Sequence, residues 1–433
     1  MSFSERWQEI RTGFERPFWV ANITELFERL SYYSVQAVLA IYLVKSLHFA
    51  DAQAGDLIGY FGAVVWFLPI FGGALADLLG FRRTLAFAYL VLTIGYFLLG
   101  SLNAPFMAPM RAIMSMPHLL LLILLVPALG PAIVKPCVVG TTAKSSKENV
   151  RSIGYSIYYT LVNVGGALGP LLASVIGPKY GEANVFRLAS VFVFLMFLVV
   201  LIFFKEPGRA TAKSMGGLAG FWRSLLATIR NFATVVSNIR FMTFLLIFSG
   251  FYIVFWQMYI ALPLYFSRFV FPAANVPRIL STEAIAVICL QVAVAYAIRK
   301  IPTFAAMTLG IFIAGASWLI LALNTSAWAA VAALAVLALG EMIQAARYYE
   351  YISRLAPAGQ QGTYMGFAFL PIAIGFLIGG KIGGRMVHYF GEVAGTPRTV
   401  WLVIAGIGFA TAVLMLVFNA FVKPLQQAET SST

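Results

Sequence analysis

Charge is what this chain has least of. Acidic and basic residues make up only 11% of its 433 positions, whereas 61% are hydrophobic and 15% aromatic. A water-soluble core cannot hide apolar surface in that proportion, so the bilayer must be the solvent for much of the chain. Cysteine is nearly absent: Cys137 and Cys289 both lie in apolar runs and report no disulfide framework. The three histidines, His48, His118 and His388, sit at the ends of apolar stretches. No His or Cys spacing fits a metal site and no nucleophile–base set is present, which leaves a membrane enzyme without chemistry and calls for no cofactor. Strand-period alternation is missing too, and this excludes a transmembrane barrel.

What remains is a succession of about twelve apolar stretches, each near the ~20 residues that cross a hydrocarbon core. The expected class is an all-α polytopic membrane protein. Its net charge of +14 comes from basic residues scattered over short loops. That distribution reads as the bias holding Lys and Arg on the cytoplasmic side, not as a nucleic-acid surface. It places both termini in the cytoplasm. The polar opening "MSFSERWQEIRTGFERP" leads into a stretch with charges and no small-residue cleavage site, so a short interfacial helix is expected there, not a signal peptide. The longest loop, about 205–239, divides the spans six and six. The expected organisation is a first bundle over 1–204, a linker over 205–239 and a second bundle with a tail over 240–433. Within the linker, Trp222, Leu225, Ile229, Phe232 and Val236 recur at helical spacing, with Arg223 and Arg230 off that stripe. Such a helix either lies on the cytoplasmic leaflet or simply joins the halves.

Two motifs carry charge. "GGALADLLGFRRTL" follows the second stretch, where Gly72 and Gly73 permit close helix contact while Asp77, Arg82 and Arg83 mark a tight charged turn. "ELFERLSYYSVQ" puts Glu25, Glu28 and Arg29 inside apolar helix. Glu25 and Arg29 are four apart, the favourable order for an ion pair along one helix, and Tyr32 and Gln36 continue the stripe. A rise of ~1.5 Å per residue from Phe18 puts the pair on the order of 10–16 Å below the surface. These are either structural charges snorkelling to water or a buried cluster that exchanges protons. "LGPAIVKPCVVG" sets Lys135 roughly 9 Å deep in the fourth stretch, at a comparable level on another helix. Opposite charges at one level offset part of each other's desolvation.

The loop motif resembles the signature of the major facilitator superfamily, whose two six-helix halves enclose a cavity at mid-membrane. "ELFER" followed by "SYY" is similar to the ExxER signature of the proton-dependent oligopeptide transporter family. Lys135–Pro136, "YSIYYTLVNVGGALGP" with Asn163, Gly165 and Gly166, and "LGEMIQAARYYEYISRLAP" with Glu341 resemble its fourth-, fifth- and tenth-helix motifs. Four motifs in the right order span most of the chain. The resemblance implies proton-driven import of di- and tripeptides. The short loops and compact size point to a bacterial inner membrane, and a monomer is expected. On that reading Glu25, Glu28, Arg29 and Lys135 couple protons. Tyr33, Lys135, Asn163, Trp256 and Glu341 line the substrate pocket, and Asp77, Arg82 and Arg83 form a conformational latch. A zwitterion needs a cation at one end and an anion at the other, and Lys135 and Glu341 supply one each. Gly165 and Gly166 read as helix contacts before ligand contacts.

The chain departs from that family at several places. Gln36 stands where peptide-transporting members carry an arginine, and Ile260 where an acid is expected. With both charges gone, Gln36 and Gln257 form a possible neutral outer gate. Trp66 replaces a pocket tyrosine. The eighth helix lacks an asparagine–proline pair, Gln291 being its nearby polar candidate, and the extra helix pair between halves is missing. Two alternatives therefore stay open: the same fold and coupling with another small zwitterion or organic anion, and a proton-driven exporter of amphipathic compounds.

Overall fold

A bilayer offers no partner to a bare backbone amide, so a chain this apolar satisfies its N–H and C=O groups within helices. The computed structural model describes residues 12–70, 79–207, 217–270, 274–357 and 361–431. Its long helices are α1 Arg16–Ile41, α2 Asp51–Phe67, α3 Phe81–Gly100, α4 Met116–Lys144, α5 Arg151–Tyr180, α6 Glu182–Phe203 and α7 Gly217–Val236. They continue with α8 Ile239–Phe255, α9 Val276–Ala297, α10 Thr303–Ser317, α11 Ala327–Leu355, α12 Leu370–His388 and α13 Thr399–Ser431. Short helices Ala261–Phe269, Leu319–Leu323 and Gln361–Gly366 extend or join them. Among the described residues there are no β-strands, only an isolated bridge between Phe14 and Ser146.

Ten stretches among the described residues are long and apolar enough to cross a membrane, from Phe81–Gly100 to Thr399–Phe421. The hydropathy reading counts α1 and α2 as well. Three ionisable side chains interrupt α1, and α2 has 17 residues. The linker helix forms as α7, with Trp222, Ile229 and Val236 of its apolar stripe exposed.

The chain divides into two compact units, residues 1–42 with 64–230, and residues 43–63 with 231–433. In the first, α1 packs on α5 and α6, while α3 packs on α4 and α6. Glycines set the closest of these approaches. A Cβ on Gly165 would lie 2.7 Å from Arg29 Cβ and 2.8 Å from the Leu26 carbonyl, and one on Gly169 would lie 2.6 Å from the Leu30 carbonyl. Backbones this near need a residue with no side chain. In the second unit α11 packs on α10 and α9, and α8 on α12 and α13. Gly310 and Gly340 bring α10 and α11 together in the same way.

Candidate functional site

The charged stripe of α1 is fully enclosed in the first unit. Glu25 and Glu28 have no exposed surface and Arg29 has 1%. Arg29 Nε lies 2.5 Å from Glu28 Oε2 and 3.5 Å from Glu25 Oε1, and its guanidinium sits 5.0 Å from the centre of the Tyr32 ring. In this arrangement the one arginine leaves the two carboxylates only partly satisfied. Both oxygens of Glu25, Oε1 of Glu28 and Nη2 of Arg29 are buried without a hydrogen-bond partner among the described residues. Snorkelling is therefore not how these charges are accommodated. The helix i,i+4 spacing built the pair, and Gly165 of α5 holds Arg29 where it is.

Lys135 acts on the same cluster. It lies within Coulombic reach of Glu25, Glu28 and Arg29. Its ammonium rests 3.8 Å from the centre of the Trp66 ring. Trp66 thus does more than fill the place of a tyrosine: the indole face holds the cation, an interaction worth about 0.5–2 kcal/mol. Pro127, Pro131 and Pro136 all lie within α4, so Lys135 sits where the helical hydrogen bonding is already interrupted.

The other first-unit positions are placed as follows. Tyr33 is half-buried, meets Tyr32 edge-on at 5.2 Å and acts electrostatically on Arg29. Asn163 is half-buried and its Nδ2 donates to the Tyr159 carbonyl one turn earlier. Gln36 is buried, with Nε2 donating to the Tyr32 hydroxyl at 2.8 Å. Asp77, Gly72 and Gly73 lie outside the described residues. Arg82 Nη2 donates to the Leu201 carbonyl, and Arg83 is exposed. A residue that sequence reasoning passed over organises this turn: Glu206 accepts from the backbone amides of Phe81 at 2.6 Å and Arg82 at 3.1 Å. A carboxylate there satisfies free amides at the start of α3 and faces the positive end of its dipole.

In the second unit Glu341 of α11 interacts electrostatically with another carboxyl group, Glu283 of α9. Gln291, the polar candidate of that helix in the sequence, is half-exposed, and a second polar residue of the same helix, Glu283, is 8% exposed and acts electrostatically on Glu341. The signal was present, since a lone acid in "LSTEAIAVICLQ" is an intramembrane charge and deserved a role by default. Trp256 is 3% exposed and stacked on Phe376 with ring centres 3.9 Å apart, so one of its faces is covered by protein. Gln257 donates through Nε2 to the carbonyls of Ile253 and Gly379. The donor groups of Gln36 and Gln257 are thus each committed within their own unit.

Residues 43–63 are fastened to the second unit by contacts the sequence did not suggest. Gly55, Gly59 and Gly62 on one face of α2 lie against Phe376, Gly380 and Gly384 of α12. Arg385 grips Asp56 through two hydrogen bonds of 2.7 and 3.0 Å. Arg268 Nε lies 2.6 Å from the buried Asp51 carboxylate and its Nη1 pairs with Glu392, which His388 also approaches at 2.7 Å. Breaking a buried pair leaves an uncompensated charge, a loss of about 3–5 kcal/mol when both groups are enclosed. Arg268 is 30% exposed, so the expected loss is smaller. Arg268→Ala lowers the melting temperature of the detergent-solubilised protein, and adding Asp51→Asn restores part of it. Strictly additive losses would show that the pair holds nothing.

The chain resembles known proteins in sequence and in shape. Over 204 residues it is 30% identical to dipeptide and tripeptide permease B of Photorhabdus asymbiotica, a stretch covering 46% of this chain and 38% of that protein. Over 189 residues it is 34% identical to the permease B of Salmonella typhimurium, covering 42% and 36%. The match spans well under half the length of each of these curated relatives. A solved POT family transporter in complex with 5-aminolevulinic acid superposes with a TM-score of 0.75 at 16% identity, over 94% of this chain and 96% of that one. A structure solved for substrate recognition in proton-dependent oligopeptide transporters gives 0.74 at 20% identity, over 95% and 99%. At such identities the likeness is one of fold. A family model for the Major Facilitator Superfamily matches residues 22–370. With that match running from the charged helix α1 to the first residue of α12, the chain belongs to the Major Facilitator Superfamily.

Proposed function

We propose that this protein couples inward proton flow to the import of di- and tripeptides by alternating access. The observation that carries this reading is the enclosed acid–base cluster of α1 and α4. Two carboxylates and one guanidinium leave a net negative charge, with buried acceptor oxygens unfilled and a lysine ammonium in Coulombic reach. Such a cluster has room for one more proton, and the ammonium competes with that proton for the same acids. Substrate carboxylate drawing on Lys135 frees the acids to take the proton, which links the two events. Glu341 supplies the anion for the substrate ammonium, with Tyr33, Asn163 and Trp256 as further contacts. Asp77, Arg82 and Arg83 act as the loop latch, and Gln36 and Gln257 as a neutral gate. The permease names of the sequence relatives support the cargo. The surplus of Lys and Arg in alternate loops supports cytoplasmic termini in a bacterial inner membrane. The bundles over 1–204 and 240–433, joined through 205–239, work as one monomer.

The test is uptake of labelled dipeptide into proteoliposomes with acid outside. Accumulation above equilibrium that collapses with a protonophore is expected; uptake indifferent to the gradient would sink the proposal. A second reading, another small zwitterion as cargo, is favoured by Trp66 covering the Lys135 ammonium and by the solved neighbour that holds 5-aminolevulinic acid. Stronger competition by amino-acid derivatives than by dipeptides would select it.

A further inference from the structure

The sequence leaves two roles open for α7: a helix bound to the leaflet, or a plain connection between the halves. The order of side chains around it separates them. At 3.6 residues per turn, Trp222, Leu226, Ile229 and Val236 fall within an arc of about 80°. All four are exposed, Trp222 at 56% and Leu226 at 61%. Beyond one edge of that arc stand Arg223 and Arg230, two turns apart, within about 20° of each other and both exposed. Further round are the exposed Thr234 and Asn231. Beyond the opposite edge, Val235 is buried and Phe232 lies 4.9 Å from the Phe367 ring. Around the helix the sectors therefore run from protein contact to exposed apolar surface, then arginine, then polar side chains.

This is the order of a lipid–water boundary. α7 is not among the ten stretches apolar enough to cross the membrane. Only Ser237 and Asn238 separate it from the spanning helix α8, so its C-terminal end is held at the membrane edge. An apolar stripe of this length turned to water would be an exposed patch of the kind that soluble surfaces avoid. Tryptophan favours the headgroup level. Arginine at the edge of such a stripe keeps its stem among acyl chains while its guanidinium reaches phosphate. Charge points to the same partner. From Pro207 to Asn238 the chain carries Arg209, Lys213, Arg223 and Arg230 and no acid, an excess that an anionic headgroup layer complements.

We propose that α7 lies in the membrane interface and that Arg223 and Arg230 bind the phosphates of anionic phospholipids. Trp222, Leu226 and Ile229 enter the acyl boundary. The two arginines, about 10 Å apart along the helix, take headgroups at its edge. The linker is then an anchor to lipid as well as a connection, whatever solute the protein carries. Its arginine contacts lie at the surface, so they weaken as ionic strength rises.

The test places the full chain in phosphatidylcholine vesicles with and without phosphatidylglycerol. It carries a nitroxide at Leu226→Cys or Asn231→Cys, with the exposed Cys289 replaced by serine and the buried Cys137 kept. The Leu226→Cys label should collide with oxygen and be shielded from a nickel chelate, and the Asn231→Cys label should do the reverse. Phosphatidylglycerol should deepen the Leu226→Cys label, and added salt should undo that change. Arg223→Gln with Arg230→Gln should abolish the lipid dependence. The same pair should lower retention of phosphatidylglycerol over phosphatidylcholine on the purified protein by about fivefold per arginine. Arg223→Lys with Arg230→Lys keeps the charge and should keep most of the preference. A Leu226→Cys label open to the nickel chelate in both lipids overturns the proposal. So does one shielded from both probes, since protein, from this chain or a second copy, would then cover the stripe. Undiminished lipid dependence in the glutamine pair would overturn the role of the arginines.

Discussion

Lys135→Ala and Glu28→Gln both abolish gradient-driven accumulation in proteoliposomes, and only Lys135→Ala retains measurable exchange. The expectation follows from the inventory of the enclosed cluster. Glu28 is the partner held closest by Arg29, at 2.5 Å, with Glu25 a full ångström further away. Replacing Glu28 by glutamine forces Arg29 onto Glu25 and uses up the acceptor that a proton would otherwise take. Removing Lys135 does the opposite. The two acids keep their proton, because the ammonium that competes for them is gone, and proton release stops. Substrate still crosses in exchange mode, since exchange needs no proton to be released. Disrupting one member of an enclosed ion cluster also costs about 3–5 kcal/mol of folding stability, so uptake is compared at equal amounts of folded protein. The measurement is steady-state uptake of labelled dipeptide with acid outside, beside counterflow at equal pH. Wild-type accumulation in either variant would remove the cluster from the coupling step.

Gly165→Val is the second large effect, and it changes no ionisable group. A Cβ at this position would lie 2.7 Å from Arg29 Cβ, 2.8 Å from the Leu26 carbonyl and 3.0 Å from the Leu30 amide. Two of these neighbours are backbone of α1 and cannot rotate away. The helices must separate, which costs about 1–3 kcal/mol by overpacking alone. The separation carries Arg29 away from its carboxylates, so transport is lost together with stability. Gly177→Ala on the same helix is the control, because a Cβ there meets nothing nearer than 3.9 Å. Thermal unfolding in detergent and pH-driven uptake are measured for both. If Gly165→Val melted and transported like wild type, close approach of α5 would not be what positions Arg29.

The residues differ in how much of their role the sequence disclosed, and the difference has a physical basis. Glu25 and Arg29 pair because they are one helical turn apart, a property of the chain itself. Lys135 was placed by counting residues from the end of a helix, and in the structure it lies within Coulombic reach of the cluster. The packing role of Gly165 was likewise expected, and its neighbours on α1 show it. Glu283 was overlooked because its partner lies some sixty residues away on another helix, and no local spacing relates them. The same holds for Glu206 at the start of α3 and for Asp51 and Arg268. Trp256 is an aromatic whose stacking on Phe376 could not be told in advance from an open pocket face.

Composition, period and helical spacing determined by themselves that this is a helical membrane protein, which charges it buries within a turn of each other, and which superfamily it resembles. These are short-range properties, set by solvent preference and by a rise of ~1.5 Å per residue. Only the tertiary structure decided which buried charges share a field, which acid acts on another acid, and that residues 43–63 group with the second unit. Helices in lipid are sorted by close backbone approach and by the pairing of enclosed polar groups, and both depend on atoms far apart along the chain.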